Sequence, residues 1–192
     1  MIHLVIAGPP GSGKGTQAQL IAEKYGLTHI STGAVLRDAI NKGSVLGRLA
    51  KTKIEHGEFV SDDVAKRIIE EFLQENQEAK GFIFDGYPRT IVQAQMYDEM
   101  INSLNANLSG FILLDVDKNI IIERLLARAK VSKRADDADL GVIMHRIEIY
   151  NQRTLPLIEY YDKKDVLYKI SGNETIEVVF TKICDVIDKI IN

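Results

Sequence analysis

The chain has no tryptophan, a single cysteine, four prolines among 192 residues, and no long apolar run. Each scarcity excludes something. One thiol, Cys184, cannot build a disulfide framework or a four-cysteine zinc site, and its apolar surroundings read as core. The four histidines, His3, His29, His56 and His145, lie far apart with no metal-ligand spacing, and no Ser-His-Asp or Cys-His constellation is apparent. The first apolar run, Ile2 to Ala7, is too short for a membrane span or the core of a signal peptide. A formal charge of −3 gives no global attraction to nucleic acid or to an acidic membrane. Any phosphate must therefore be drawn by local structure. The expectation is a cytoplasmic protein with neither nucleic-acid nor membrane partners.

What is present is ordinary globular composition, 45% hydrophobic and 27% charged, long enough for one domain with a sizeable core. Short apolar runs at Ile2–Ala7, Thr28–Ile30, Phe82–Phe84, Phe111–Leu114 and Val166–Ile170 alternate with stretches of helical period. Runs without polar alternation fit strands covered on both faces, and the whole order predicts an α/β domain around a parallel sheet. Helices are predicted at Lys14–Tyr25, Val64–Gln74 (opened by Asp62 and Asp63), Ile91–Leu104, Lys118–Ala129, Ile143–Tyr161 and Ile176–Ile191. The polar stretch Lys130–Leu140 has no apolar period and reads as a loop or flap.

The strongest signal is Gly8-Pro9-Pro10-Gly11-Ser12-Gly13-Lys14-Gly15-Thr16, set between the first strand and the first helix. Phosphate oxygens need converging N–H donors, which glycines let the backbone supply and a helix N-terminus augments. Lys14 is placed to reach β- and γ-phosphates, and Thr16 offers a hydroxyl to Mg²⁺. Gly15 intervenes before Thr16, a departure from the usual GxxxxGK[ST] spacing.

Three further segments carry chemistry. In Ser31-Thr32-Gly33-Ala34-Val35-Leu36-Arg37, Arg37 sits one turn into a helix where a guanidinium can hold a monophosphate; alternatively, Ser31 or Thr32 is simply a helix cap. In Phe84-Asp85-Gly86-Tyr87-Pro88-Arg89, Asp85 ends a buried strand, where a carboxylate can hold Mg²⁺ through water. Thr90 to Gln93 fits a capping box. Arg124 and Arg128 share a helical face, with Arg134 in the flap and Arg146 beyond it, although an exposed arginine pair can equally be a solvated surface.

Together, Gly-Lys-Gly-Thr, Ser-Thr-Gly-x-x-Leu-Arg, Asp-Gly-Tyr-Pro-Arg and the arginine set resemble the adenylate kinase family in its short-lid form, over essentially the whole chain. The resemblance implies a P-loop kinase fold, a central five-stranded parallel sheet flanked by helices. It also implies a helical insert for the nucleoside monophosphate at 31–60, a short lid at 129–139, and no structural zinc. The implied reaction is ATP + AMP = 2 ADP, with Mg²⁺, in a monomer. On the ATP side it implicates Gly11, Ser12, Gly13, Lys14, Gly15, Thr16, Arg124, Arg128 and Glu174. On the AMP side it implicates Thr32, Arg37, Glu58, Phe59, Val60, Gly86, Tyr87, Pro88, Arg89, Gln93, Arg134 and Arg146. Lys14, Arg89, Arg128, Arg134 and Arg146 are the implied catalytic set, and Thr16 and Asp85 the implied metal side. The chain departs from the family pattern at Ala34 (usually Asp), Val92 (usually Pro), Glu174 (usually Gly), and in a stretch at 136–141 that is one residue longer. A UMP/CMP kinase shares most of these motifs but tends to have Ala at the position of Thr32. A nucleotide-binding regulatory protein that has lost catalysis would retain the cradle without the transfer.

Overall fold

A computed structural model describes residues 1–132, 134–137 and 139–191. Five parallel strands, β1 (Ile2–Ala7), β2 (Thr28–Ser31), β3 (Gly81–Asp85), β4 (Gly110–Asp115) and β5 (Leu167–Ser171), lie in the order β2-β3-β1-β4-β5. All five apolar runs become strands; the central β1, β3 and β4 are buried almost throughout between two layers, while the edge strands β2 and β5 are covered only in part. Along β1, Leu4 and Ile6 pack with Ala18 and Ile21 of helix α1 (Lys14–Tyr25) and with Val179, Ile183 and Ile187 of helix α9 (Ile176–Ile191). Val5 and Ala7 of the same strand join the opposite cluster, with Ile69, Tyr97 and Leu157. Those three residues belong to α4 (Asp62–Glu75), α5 (Ile91–Ser103) and α8 (Pro156–Asp162). Cys184 is 5% exposed within α9, as a core residue should be.

Two helices connect β2 to α4: α2 (Thr32–Asn41) and α3 (Val45–Glu55). Periodicity anticipated only the start of α2, whereas the family resemblance implied a helical insert at 31–60, the range in which both helices lie. Helix α3 turns Leu46, Ala50 and Ile54 toward the core but leaves Val45 and Leu49 exposed, so its apolar residues lie on more than one face and blur the period. After β4 come α6 (Lys118–Ser132), a 3₁₀ turn at Ala135–Asp137 and α7 (Leu140–Ile149). The stretch read as an irregular flap therefore keeps one more helical turn and a second short element; Lys133 and Ala138 fall outside the described residues. The helix expected from Ile143 to Tyr161 is divided. A π-helical segment, Tyr150–Thr154, separates α7 from α8, which starts on Pro156, a residue that cannot donate into a preceding turn.

The parallel order brings every strand's carboxyl end to one edge, where open α/β sheets bind ligands. His3 lies deep in this sheet, fully buried, with Nδ1 3.2 Å from the Tyr97 hydroxyl and Nε2 without a partner among the described residues. Burial lowers its pKa to about 4, with the N-terminal charge adding to the effect. The folded state thus prefers neutral His3, so this contribution is complete above pH 6.5 and is lost as pH falls from 6.5 toward 4. Between pH 7 and 4.5, wild type should lose about 2–3 kcal/mol more stability than His3→Leu in urea unfolding. Equal losses would show that His3 does not titrate on unfolding.

Candidate active site

The loop after β1 folds around Lys14. The Lys14 ammonium donates to the carbonyls of Gly8 and Pro9, both at 2.8 Å, and to Ser12 Oγ at 3.3 Å. Gly11 and Gly13 have φ of +83° and +92°, values that disfavour side-chain-bearing residues and that let this turn end directly in the first turn of α1. Burial lowers the Lys14 pKa to about 7; Asp85 opposes this, and Arg89, Arg146 and Arg128 add to it. A lysine held this way has a cation's position without a full counter-charge, and an arriving phosphate supplies one.

Neither hydroxyl at the start of α2 caps the helix. Ser31 Oγ donates to Asp85 Oδ2 at 3.1 Å, and Thr32 Oγ1 donates to the Gly86 carbonyl at 2.9 Å. The segment is therefore fastened to the end of β3 rather than to its own helix. Arg89 Nε donates to the same Gly86 carbonyl at 2.7 Å, and its guanidinium lies over the Phe59 ring, 5.0 Å from the centroid. Burial lowers the Arg89 pKa, and a nearby Asp85 opposes that. Arg37 has no hydrogen-bond or ion-pair partner among the described residues, and burial pulls its pKa down to about 10, with Arg134, Arg128 and Arg89 adding to the effect. A half-buried guanidinium in that condition is a ready anion site.

One cleft, about 1090 Å³ counted to its open mouth, collects most of the residues implicated on the AMP side, together with Lys14. Lys14, Thr32, Arg37, Phe59, Arg89 and Gln93 line it, with Glu58, Val60, Gly86, Pro88 and Arg146. No histidine does. Gly11, Ser12, Gly13, Gly15 and Thr16 form the loop and helix start beside it, and Asp85 ends the strand next to β1. Tyr87 differs: its ring is fully buried, edge-on to Tyr97, and its hydroxyl donates to the Gln93 carbonyl at 3.3 Å. Only its backbone is available to the cleft. Gln93 satisfies the capping reading in part, since its backbone N–H donates to Thr90 Oγ1 at 3.1 Å, while its side chain is engaged elsewhere.

The arginines beyond the sheet are paired with acids that sequence reasoning missed. Arg128 Nε and Nη2 grip both carboxylate oxygens of Asp137, at 2.6 and 2.8 Å, and Arg146 Nη1 reaches Asp137 at 2.6 Å and Asp136 at 2.9 Å. Asp137 is fully buried, and these two guanidiniums hold its carboxyl below the usual range against the opposing effect of burial. Burial lowers the Arg134 pKa, with Arg128 adding to that. Gly57, at φ +75°, closes against Arg146; a Cβ there would meet Arg146 Cγ at 2.5 Å. Arg124 lies apart from this group. Its guanidinium donates to the carbonyls of Gly172 (2.9 Å) and Glu174 (3.4 Å), pinning the loop after β5, while the Glu174 carboxylate pairs with Lys182. Thr154, brought in by the π segment, donates through its hydroxyl to the Arg89 carbonyl at 3.0 Å. Its place could not be read from the sequence, because helical period gives no sign of a π turn.

A phosphate loop at the end of the central strand, facing a second set of anion-binding side chains across one cleft, defines a P-loop nucleotide phosphotransferase. A family model described as "Adenylate kinase" matches residues 6–166. An adenylate kinase of Flavobacterium psychrophilum is 40% identical to this chain over 190 residues, covering 99% of this chain and all of that protein. One from Parabacteroides distasonis is 42% identical with the same coverage, and one from Archaeoglobus fulgidus is 37% identical, covering 98% of this chain and 99% of its own. The chain belongs to the adenylate kinase family.

Proposed function

We propose that the chain transfers a phosphoryl group reversibly between ATP and AMP, giving two ADP, and that the cleft between the β1 loop and α2 is where the two nucleotides meet. The observation carrying this reading is the meeting, in one cavity, of Lys14 with an independent cationic pair, Arg37 and Arg89. A nucleotide-binding protein without an acceptor has no use for that second pair. The acceptor phosphate is already an anion, so no general base is required.

In this reading the N–H groups of residues 11–16 cradle the donor phosphates, and the Lys14 ammonium turns from its loop carbonyls to the β/γ-oxygens. Arg37 and Arg89 hold the AMP phosphate. Thr32, Gln93 and the Glu58–Val60 segment bound its base, with Gly86, the Tyr87 backbone and Pro88 forming the wall. Arg128, Arg134 and Arg146 surround the charge in transit, with Asp136 and Asp137 holding two of them in place until phosphate arrives. Arg124 and the Glu174 backbone border the ATP base. Residues 31–60 act as the acceptor insert and 129–139 as a lid that excludes water when closed.

The metal side has the chemistry of a hard cation held largely through water. The Asp85 carboxylate accepts from Ser31 and lies against the start of α1, where a Cβ on Gly15 would come within 3.4 Å of Oδ2 and where Thr16 carries an exposed hydroxyl. Among the described residues no three His, Cys, Asp or Glu side chains form a cage. Thr16 would hold Mg²⁺ directly and Asp85 through water. Bound Mg²⁺ would neutralise phosphate charge during transfer. Ala34 is exposed on α2 and adds no oxygen to this side. The protein is proposed to act as a cytoplasmic monomer; among the described residues no helix is long and apolar enough to cross a membrane.

The test is incubation with Mg²⁺ and ADP alone, followed by ATP with AMP, CMP, UMP or GMP. Equal amounts of ATP and AMP from ADP, with AMP the preferred acceptor, are expected. Protein that binds ATP but turns over no monophosphate would sink the reading.

A further inference from the structure

We propose that Asp62 is a positioning residue that holds the Gln93 side-chain amide in one of its two orientations, and thereby sets which purine edge the acceptor site accepts. The inference rests on the reading that Gln93 faces the acceptor base.

A glutamine amide is nearly symmetric in shape but not in chemistry: the oxygen accepts and the nitrogen donates. A free glutamine in a base pocket can turn over and suit either purine edge. A 6-aminopurine presents an acceptor at N1 and a donor at its amino group. A 6-oxopurine presents the reverse. Discrimination therefore requires something that stops the amide from turning.

Gln93 has such a lock. It is 2% exposed, and each end of its amide has a partner that tolerates only one orientation. The backbone N–H of Arg89, a pure donor, points to Oε1 at 2.7 Å. The carboxylate of Asp62, a pure acceptor when ionised, faces Nε2 at 2.8 Å. The two partners come from separate parts of the chain, the loop after β3 and the first turn of α4. Thr90 ties them together, donating through Oγ1 to Asp62 Oδ1 at 3.2 Å and accepting from the Gln93 backbone N–H at 3.1 Å. Turning the amide over would set its oxygen against the Asp62 carboxylate and its NH₂ against the Arg89 N–H. One acceptor position on Oε1 and one N–H on Nε2 remain uncommitted, in fixed order. Read from sequence, Asp62 is an acid at the positive end of a helix. Its neighbour Asp63 occupies the same turn but is exposed, and that difference supplies the control.

The experiment measures dissociation constants for AMP and inosine monophosphate, whose 6-oxopurine lacks guanine's 2-amino group, by calorimetry on the intact protein. Asp62→Ala removes half the lock and should shrink the preference for AMP by about tenfold, the worth of one hydrogen bond to a charged group. Asp62→Asn keeps the shape but replaces a pure acceptor with an amide that can itself turn over, so it should also shrink the preference, by no more than Asp62→Ala does. Asp63→Ala removes a charge from the same helix turn and should leave the preference unchanged. General loosening of α4 weakens both ligands together and does not move the ratio. If Asp62→Ala keeps the preference while Gln93→Ala abolishes it, the lock is overturned and Gln93 remains the base reader. If Gln93→Ala also keeps the preference, the base is read elsewhere, and both the lock and that part of the proposed function fall.

Discussion

Lys14→Met is expected to lower kcat by about 10²- to 10³-fold, as the loss of a preorganised electrostatic donor does in other enzymes. The side chain keeps its length, so the cradle is not emptied; what disappears is the ammonium. In the structure that ammonium donates to two backbone carbonyls at 2.8 Å, with its pKa lowered to about 7 by burial and by Arg89, Arg146 and Arg128. Negative charge from a nucleotide opposes both influences and raises the pKa again. With that pKa, part of the Lys14 population is neutral at pH 7.5, so nucleotide binding should draw a fraction of a proton from solvent. Below pH 6 the lysine is already charged and this uptake vanishes. Calorimetry in two buffers of different ionisation enthalpy reads the proton directly. Wild type should show the uptake, Lys14→Met should lack it, and identical proton numbers in the two proteins would mean that Lys14 is already charged before phosphate arrives.

The same residue shows how much of the site was legible in the sequence. The cradle is contiguous, and a strand, a glycine-rich turn and a helix start announce one another along the chain. Arg37, Asp85 and Arg89 were legible for a related reason: each sits within six residues of a strand end, and in a parallel sheet all strand ends of one sense share an edge. The residues that were missed act across the chain. Asp62 meets Gln93, Asp137 meets Arg128 and Arg146, and Thr154 meets Arg89, with nothing in local spacing to pair them. Each also had a sufficient local explanation, as a helix-start acid, a polar flap residue or a helical threonine. The Ser31 and Thr32 hydroxyls are the converse case. They have the residue types of a cap, yet both bond to the segment after β3, because an edge strand paired with β3 brings that segment closer than the helix's own N–H groups.

The fold was legible wherever burial imposes a pattern and obscure where it does not. The three central strands are covered on both faces, and the edge strands β2 and β5, though only partly covered, also read as apolar runs. Helix α3 is mostly exposed; Leu46, Ala50 and Ile54 form a short stripe toward the core, and a close backbone approach fixes its corner with α2. That approach is at Gly47, where a Cβ would lie 2.0 Å from the Ala39 carbonyl oxygen and 2.3 Å from the carbonyl carbon. The same oxygen accepts from the Ser44 N–H and Ser44 hydroxyl, each at 3.1 Å, while Ser44 Oγ caps α3 by accepting from the Gly47 N–H at 3.0 Å. Two helices and their corner thus converge on one peptide group.

Gly47→Ala sets two effects against each other. Helix propensity alone predicts a gain of about 1 kcal/mol from replacing glycine in a helix. The added methyl, however, would sit more than an ångström inside contact distance of the Ala39–Ile40 peptide, where no rotamer change relieves it, and overpacking of this kind costs about 1–3 kcal/mol, sometimes more. The clash wins, so Gly47→Ala is expected to lower Tm rather than raise it. It should also move α2, which carries Thr32 and Arg37, relative to β3. A misplacement near 1 Å can cost on the order of 10²-fold in rate, so KM for AMP should rise and kcat fall. ATP affinity should stay near wild type, because the β1 loop lies on the other side of the cleft. Thermal unfolding together with separate titrations of AMP and ATP checks each part. A stabilised variant would show that the α2–α3 corner yields easily, and equal weakening of both nucleotides would show that the two halves of the cleft are not positioned independently.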